Sequence, residues 1–155
     1  MGSGKSTIGS RVAELAGAPF RDLDSMIESE GGMTVREIFA TQSEAGFRAL
    51  ESRLLPDALQ PGAVVALGGG TPVDESNWRL ITERAITVYL EVRFETIWKR
   101  VGPASNRPLA TGRSRSEVEA LLDRRRPRYE QASHRVDADR QPDAIADEVL
   151  KIWNA

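Results

Sequence analysis

The chain has 155 residues, 28% charged and 40% hydrophobic, with a formal net charge of −2; the length suits one domain with one core, and the charge balance gives no electrostatic case for nucleic-acid binding. No apolar run approaches the ~20 residues that span a bilayer, and the polar, glycine-rich start does not read as a signal peptide, so a cytoplasmic place without membrane contact is expected. The absence of cysteine removes disulfides, thiolate metal sites and cysteine nucleophiles.

In chain order, Ser6 to Leu15 carries Ile8, Val12 and Leu15 at helical spacing, with Gly17 placed to end the helix. Pro19 to Asp22 reads as a short strand, and Asp24 as the N-cap of a helix through Glu30. Thr34 and Glu37 have capping-box spacing ahead of Ile38 and Phe39. A longer helix is expected from Glu44 to Leu59. The apolar run Ala63 to Leu67 predicts a buried parallel strand, followed by Gly68-Gly69-Gly70. Asn77 to Glu83 reads as helix, Ala85 to Leu90 as strand and Phe94 to Val101 as helix. Gly102 to Arg115 has no periodicity and reads as a mobile loop. Ser116 and Glu119 have capping-box spacing for a helix with Val118, Leu121 and Leu122. Arg135 to Asp137 predicts a last short strand. Pro142 opens a final helix marked by Ile145, Val149 and Ile152. Strands alternating with helices imply a mainly parallel sheet between helix layers, an α/β domain.

The motif that carries chemistry is Gly2-Ser3-Gly4-Lys5-Ser6-Thr7. Glycines let the backbone turn tightly and aim N–H groups at phosphate oxygens. Lys5 can reach the β- and γ-phosphates, the Ser6 hydroxyl can ligate Mg²⁺, and the helix that follows turns its positive end to the anion. The full pattern is G-x-x-x-x-G-K-[ST], whose first glycine would fall just before Met1. The strand that should precede it is missing as well, so the chain is expected to derive from a longer natural protein. Among the 21 basic residues only Lys5, Lys99 and Lys151 are lysine. The arginines suit phosphate and carboxylate, though codon bias would produce the same excess.

Five further segments follow in order: Asp22-Leu23-Asp24, Phe47-Arg48, Gly68-Gly69-Gly70, Arg107-Pro108-Leu109 and Arg125-Arg126-Pro127-Arg128-Tyr129. Behind a P-loop, this set resembles the shikimate kinase family over nearly the whole chain. The resemblance implies a single P-loop kinase domain over 1–155, three-layered α/β/α, with the first strand missing, substrate-binding helices at about 24–59 and a mobile lid at about 102–116. It implies ATP and shikimate as substrates, Mg²⁺ as cofactor, and a monomer. The reaction implied is phosphorylation of shikimate to shikimate 3-phosphate on the route to aromatic amino acids.

At matching positions, the resemblance makes Asp24, Lys5 and Arg107 the catalytic set. Asp24 would accept from shikimate hydroxyls, as general base or as orienting anion. Gly2 to Thr7 would bind ATP phosphates, with Arg107 swinging over the γ-phosphate and Arg100 and Arg140 flanking adenine. Arg48 and Arg125 would clamp the shikimate carboxylate, with Glu51 one turn on holding Arg48 in place. Gly68, Gly69 and Gly70 would approach the substrate ring. Ser6 and, through water, Asp22 would hold the metal. Arg113, Arg115, Arg126 and Arg128 read as exposed cations, and His134 as an exposed residue before a strand. Trp78, Trp98 and Trp153 read as packing residues.

Two other readings stay open on the residues alone. One is another small-molecule kinase of the fold, for gluconate or a nucleoside; gluconate also offers a carboxylate to Arg48 and Arg125. The other is a non-catalytic nucleotide-binding domain, which the shortened phosphate motif would suit.

Overall fold

The computed structural model describes residues 2–101 and 114–155. Helix α1 spans Lys5–Ala16 and buries Ile8, Val12 and Ala13 on one face. Gly17 stops it in the left-handed conformation (φ 63°), which only glycine adopts without strain. Strand β1, Phe20–Asp22, runs directly into α2, Leu23–Gly31. Here the expected cap is corrected. Asp22, not Asp24, is the N-cap: its backbone is extended, and its carboxylate accepts from the N–H groups of Asp24 and Ser25.

Helix α3 spans Val35–Ala58, opened by the Thr34–Glu37 capping box. It is two helices joined at Ser43, whose φ of 65° and ψ of 174° are not helical. Strand β2 is Val64–Ala66, and a 3₁₀ turn at Thr71–Val73 follows the three glycines. Asp74 caps α4, Glu75–Arg84, by accepting from the Asn77 N–H. Strand β3, Val88–Glu91, leads to α5, Phe94–Val101. Helix α6 spans Arg115–Tyr129, and its capping box is Ser114 with Glu117. That corrects Ser116 with Glu119. Both pairs have the required spacing, but Ser114 holds the extended backbone a cap needs. Strand β4 is His134–Asp137, and α7 runs from Pro142 to Trp153.

The strands form two parallel pairs. In one, β1 lies beside β2 with Phe20 opposite Val64 and Asp22 opposite Ala66. In the other, β3 lies beside β4 with Val88 opposite His134 and Glu91 opposite Asp137. Among the described residues no strand joins the pairs into one sheet. The core divides in the same way. Ile8, Val12, Ile97, Val101, Val118 and Val136 belong to one buried cluster. Leu23, Ile27, Ile38, Phe47, Leu55 and Ile81 belong to the other. Between them lies a cavity of about 450 Å³, lined by Ile8, Val12, Val65, Leu67, Val88 and Leu90 among others.

Trp78 and Trp98 pack against these clusters as expected. Trp153 is 38% exposed and borders the cavity. His134 opens β4 instead of preceding it, and is exposed. No described helix is long and apolar enough to cross a membrane.

Candidate active site

The turn before α1 has the backbone that phosphate binding requires. Gly2 and Gly4 take φ of 63° and 86°. A Cβ on Gly2 would stand 2.8 Å from Val101 Cγ1, so this glycine also lets the turn lie against α5. The first turn of α1 has neither a capping side chain nor an acidic residue. Its first-turn N–H groups, which no described side chain caps, and its positive dipole end suit an external anion. Lys5 Nζ donates to Ser3 Oγ at 3.5 Å.

The Ser6 hydroxyl donates to Asp22 Oδ2 at 2.5 Å, while Asp22 Oδ1 caps α2. The two residues expected at the metal thus stand side by side, fixed by the β1–α2 junction. Among the described residues no group of three or more His, Cys, Asp or Glu could hold a metal ion. One hydroxyl and one carboxylate beside a phosphate turn instead fit a hard cation that keeps waters and takes phosphate oxygens.

Across from the turn, the glycines after β2 gather the acidic and basic side chains. A Cβ on Gly68 would lie 3.1 Å from both Asp24 Oδ1 and Glu51 Oε1, and 3.2 Å from Thr71 Oγ1. A Cβ on Gly70 would collide with the Arg48 guanidinium. These two positions need glycine for close approach. Glu51 is fully buried. It accepts from Arg48 Nη1 at 2.7 Å and from Thr71 Oγ1 at 2.5 Å, so the expected brace on Arg48 is present. Glu44 adds a second, longer contact to Arg48 at 3.4 Å.

Burial pushes the Asp24 carboxyl above its ordinary range, and Asp22 adds to the rise; Lys5 opposes it, while Glu51 and Glu28 reinforce it. A carboxylate of raised basicity, stabilised by the phosphate-loop lysine, suits a group that accepts a proton or orients a hydroxyl.

Arg125 is 8% exposed on α6. Tyr129, one turn later, donates its hydroxyl to the Gly69 carbonyl at 2.6 Å. Burial raises the Tyr129 pKa, and the charges of Arg125 and then Arg48 pull it back down. Both arginines thus act on one phenol at the glycine turn. Tyr129 and Thr71 were not singled out by sequence reasoning. Tyr129 ends the arginine–proline segment and so had a signal; Thr71 had none beyond following three glycines.

Arg100 Nη1 donates to the Gly2 carbonyl at 3.0 Å, which joins it to the phosphate turn. Arg140 sits between β4 and α7, bonded to the Asp137 carbonyl and paired with Glu148. Its described contacts do not include Arg100 or the turn. Arg126 is exposed as expected and pairs with Asp123. Arg128 is not: it is only 19% exposed, lies over the Trp78 ring and pairs with Glu75. Arg115 is the first residue of α6, exposed and paired with Glu95, instead of a loop cation. Arg107 and Arg113 lie outside the described residues, as does most of the expected lid.

A phosphate-binding turn opening a helix, beside parallel strands whose ends carry an acidic and arginine-lined pocket, defines a P-loop small-molecule kinase. The family model for shikimate kinase matches residues 1–154. Shikimate kinase from Salinibacter ruber is 40% identical over all of this chain and 81% of its own length. That from Moorella thermoacetica is 40% identical over 99% and 91%. Shikimate kinase from Acinetobacter baumannii, solved in complex with shikimate, superposes with a TM-score of 0.92 at 32% identity, covering 99% of this chain and 88% of that one. The Aquifex aeolicus structure gives 0.88 at 31% identity. The chain belongs to the shikimate kinase family, enzymes that phosphorylate shikimate with ATP.

Proposed function

We propose that this chain makes shikimate 3-phosphate with the residues gathered at its two facing turns. The observation that carries the reading is the meeting of Asp24, Arg48 and Glu51 at Gly68 and Gly70, beside Lys5 and the Ser6–Asp22 pair. Gly2 to Thr7 grip the ATP phosphates, with Lys5 countering charge on the β- and γ-oxygens. Arg48 and Arg125 fasten the shikimate carboxylate through charge-assisted bonds. Gly68 to Gly70 let the ring come close. Asp24 orients the attacking hydroxyl and takes its proton. The new bond forms from that oxygen to the γ-phosphorus, the bond to the β–γ bridging oxygen breaks, and ADP leaves. Ser6, and Asp22 through water, would hold Mg²⁺, which supplies neutralising charge to the phosphates. Arg100 and Arg140 are assigned to the adenine side, and Arg107 to the transferring phosphoryl group in a lid at about 102–116. The enzyme is a monomeric, cytoplasmic, single-domain protein in this reading.

A coupled ADP-release assay with shikimate, gluconate and nucleosides tests it. Turnover is expected with shikimate alone. Turnover with another acceptor, or ATP binding without turnover on any, would sink the assignment. Within the same assay Arg107→Ala should lower kcat far more than it raises the KM for shikimate. An unchanged kcat removes it from the catalytic set.

A further inference from the structure

Glu51 uses both of its carboxylate oxygens. Oε2 accepts from Arg48 Nη1 at 2.7 Å, and Oε1 accepts from the Thr71 hydroxyl at 2.5 Å. Glu51 and Thr71 are both fully buried, so bulk water does not reach this pair. Thr71 is placed by the backbone. It is the first residue of the 3₁₀ turn, and its N–H donates to the Gly68 carbonyl at 3.2 Å. Its branched side chain has little rotameric freedom, so the hydroxyl is a fixed donor.

A glutamate carboxylate turns easily about its last torsion, which is broad and soft. Thr71 holds Oε1, and the rotation that would carry Oε2 away from Arg48 is thereby stopped. Arg48 has weaker restraints of its own. Its side chain is 26% exposed, and its other acidic neighbour, Glu44, stands at 3.4 Å on the exposed side. Its guanidinium lies directly over Gly70, where an added Cβ would meet it. A small turn of Glu51 therefore changes where the arginine fork points at the glycine turn. The bonded oxygen of Glu51 also shares Gly68 with Asp24, since an added Cβ there would lie 3.1 Å from each carboxylate.

We propose that Thr71 is a positioning residue for capture of the acceptor's carboxylate: its hydroxyl locks Glu51, and Glu51 in turn aims Arg48. Thr71 acts through two other side chains and not on the acceptor itself. Without the hydroxyl, Oε1 is left buried and unpaired, and the carboxylate turns both oxygens to the guanidinium. The fork is then engaged by Glu51, and less of it faces the substrate. This inference rests on the kinase reading given above.

Steady-state kinetics of the whole chain with shikimate and ATP provide the test. Thr71→Val keeps the shape and removes the donor. The KM for shikimate should rise about fivefold or more, while kcat and the KM for ATP stay within about twofold. Thr71→Ser keeps a hydroxyl and should return the KM to within about twofold of the unaltered chain. Adding Thr71→Val to Arg48→Ala should change the KM for shikimate by less than about twofold, because the group it aims is gone. A threonine that only supported the fold would lower the active fraction, hence kcat, and leave KM alone. An unchanged KM in Thr71→Val, no recovery with serine, or the full effect in the Arg48→Ala background would each overturn the proposal. Should Thr71→Val fail to fold, Thr71→Ala takes its place; should Arg48→Ala fail, the serine comparison decides. No shikimate turnover by the unaltered chain would sink the kinase reading and this inference with it. Normal turnover without the expected KM pattern would sink this inference alone.

Discussion

Asp24 lies in an environment that opposes its charge. Its folded pKa is raised above the ordinary 3.8, first by burial and then by Asp22. A group raised in this way contributes its stability below the unfolded value and loses it as pH climbs through the folded one. At neutral pH the carboxylate therefore weakens the fold. Asp24→Asn should raise the melting temperature at pH 7, with the gain fading as pH falls through the raised folded pKa and gone well below the ordinary 3.8, where both states are neutral. The same change should lower kcat by about a hundredfold or more. A variant that loses activity without gaining stability would contradict this account of the site. Glu51→Gln keeps the shape but gives up the charge opposite Arg48. The KM for shikimate should rise roughly tenfold while that for ATP stays within about twofold, by steady-state kinetics. Tyr129→Phe deletes only the bond to Gly69. It should cost about 1 kcal/mol in denaturant unfolding, with a KM effect confined to shikimate.

At the scale of elements, most of the helices and strands were legible, because their signals were local. The Thr34–Glu37 box, the Gly17 stop and the apolar Val64–Ala66 run each act within a few residues. Errors fell where two local signals of equal strength competed. Asp22 and Asp24 are both good caps, as are Ser114 and Ser116, and only the backbone that the preceding segment imposes decides between them. The site was legible as a set of residue types and, at helical spacing, as the Arg48–Glu51 contact, but not in its long-range contacts. The Tyr129–Gly69 bond joins residues 60 positions apart, and no spacing rule reaches that far. Ser43 is the clearest strained point, a non-glycine residue at φ 65°. Ser43→Gly should stabilise the α3 bend by about 1 kcal/mol, the relief of a left-handed side chain less the added freedom of the unfolded chain. Urea midpoints of the two proteins provide the check, and a destabilised variant would show that the serine side chain is needed there.

For the whole molecule, the divided core makes a statement about cooperativity. Small domains unfold in one step when a continuous core links their parts. Here Trp98 packs with one cluster and Trp78 with the other, across a cavity. Variants retaining a single tryptophan, Trp98 or Trp78, should show urea transitions with different midpoints. Coincident curves would mean that α1 and the loops couple the halves more tightly than the strands do.

The contact between Gly70 and Arg48 has a genetic corollary. Every missense change reachable from a glycine codon adds a Cβ, and at Gly70 that atom would meet the Arg48 guanidinium. The tip of an arginine can swing aside without disturbing the scaffold, but doing so takes it from Glu51. Alleles altered at this codon should thus fail to support growth where the pathway product is scarce, and should also yield less folded protein, because Glu51 is left buried without its counter-ion. Purifying selection at the position would then act on substrate capture and abundance together.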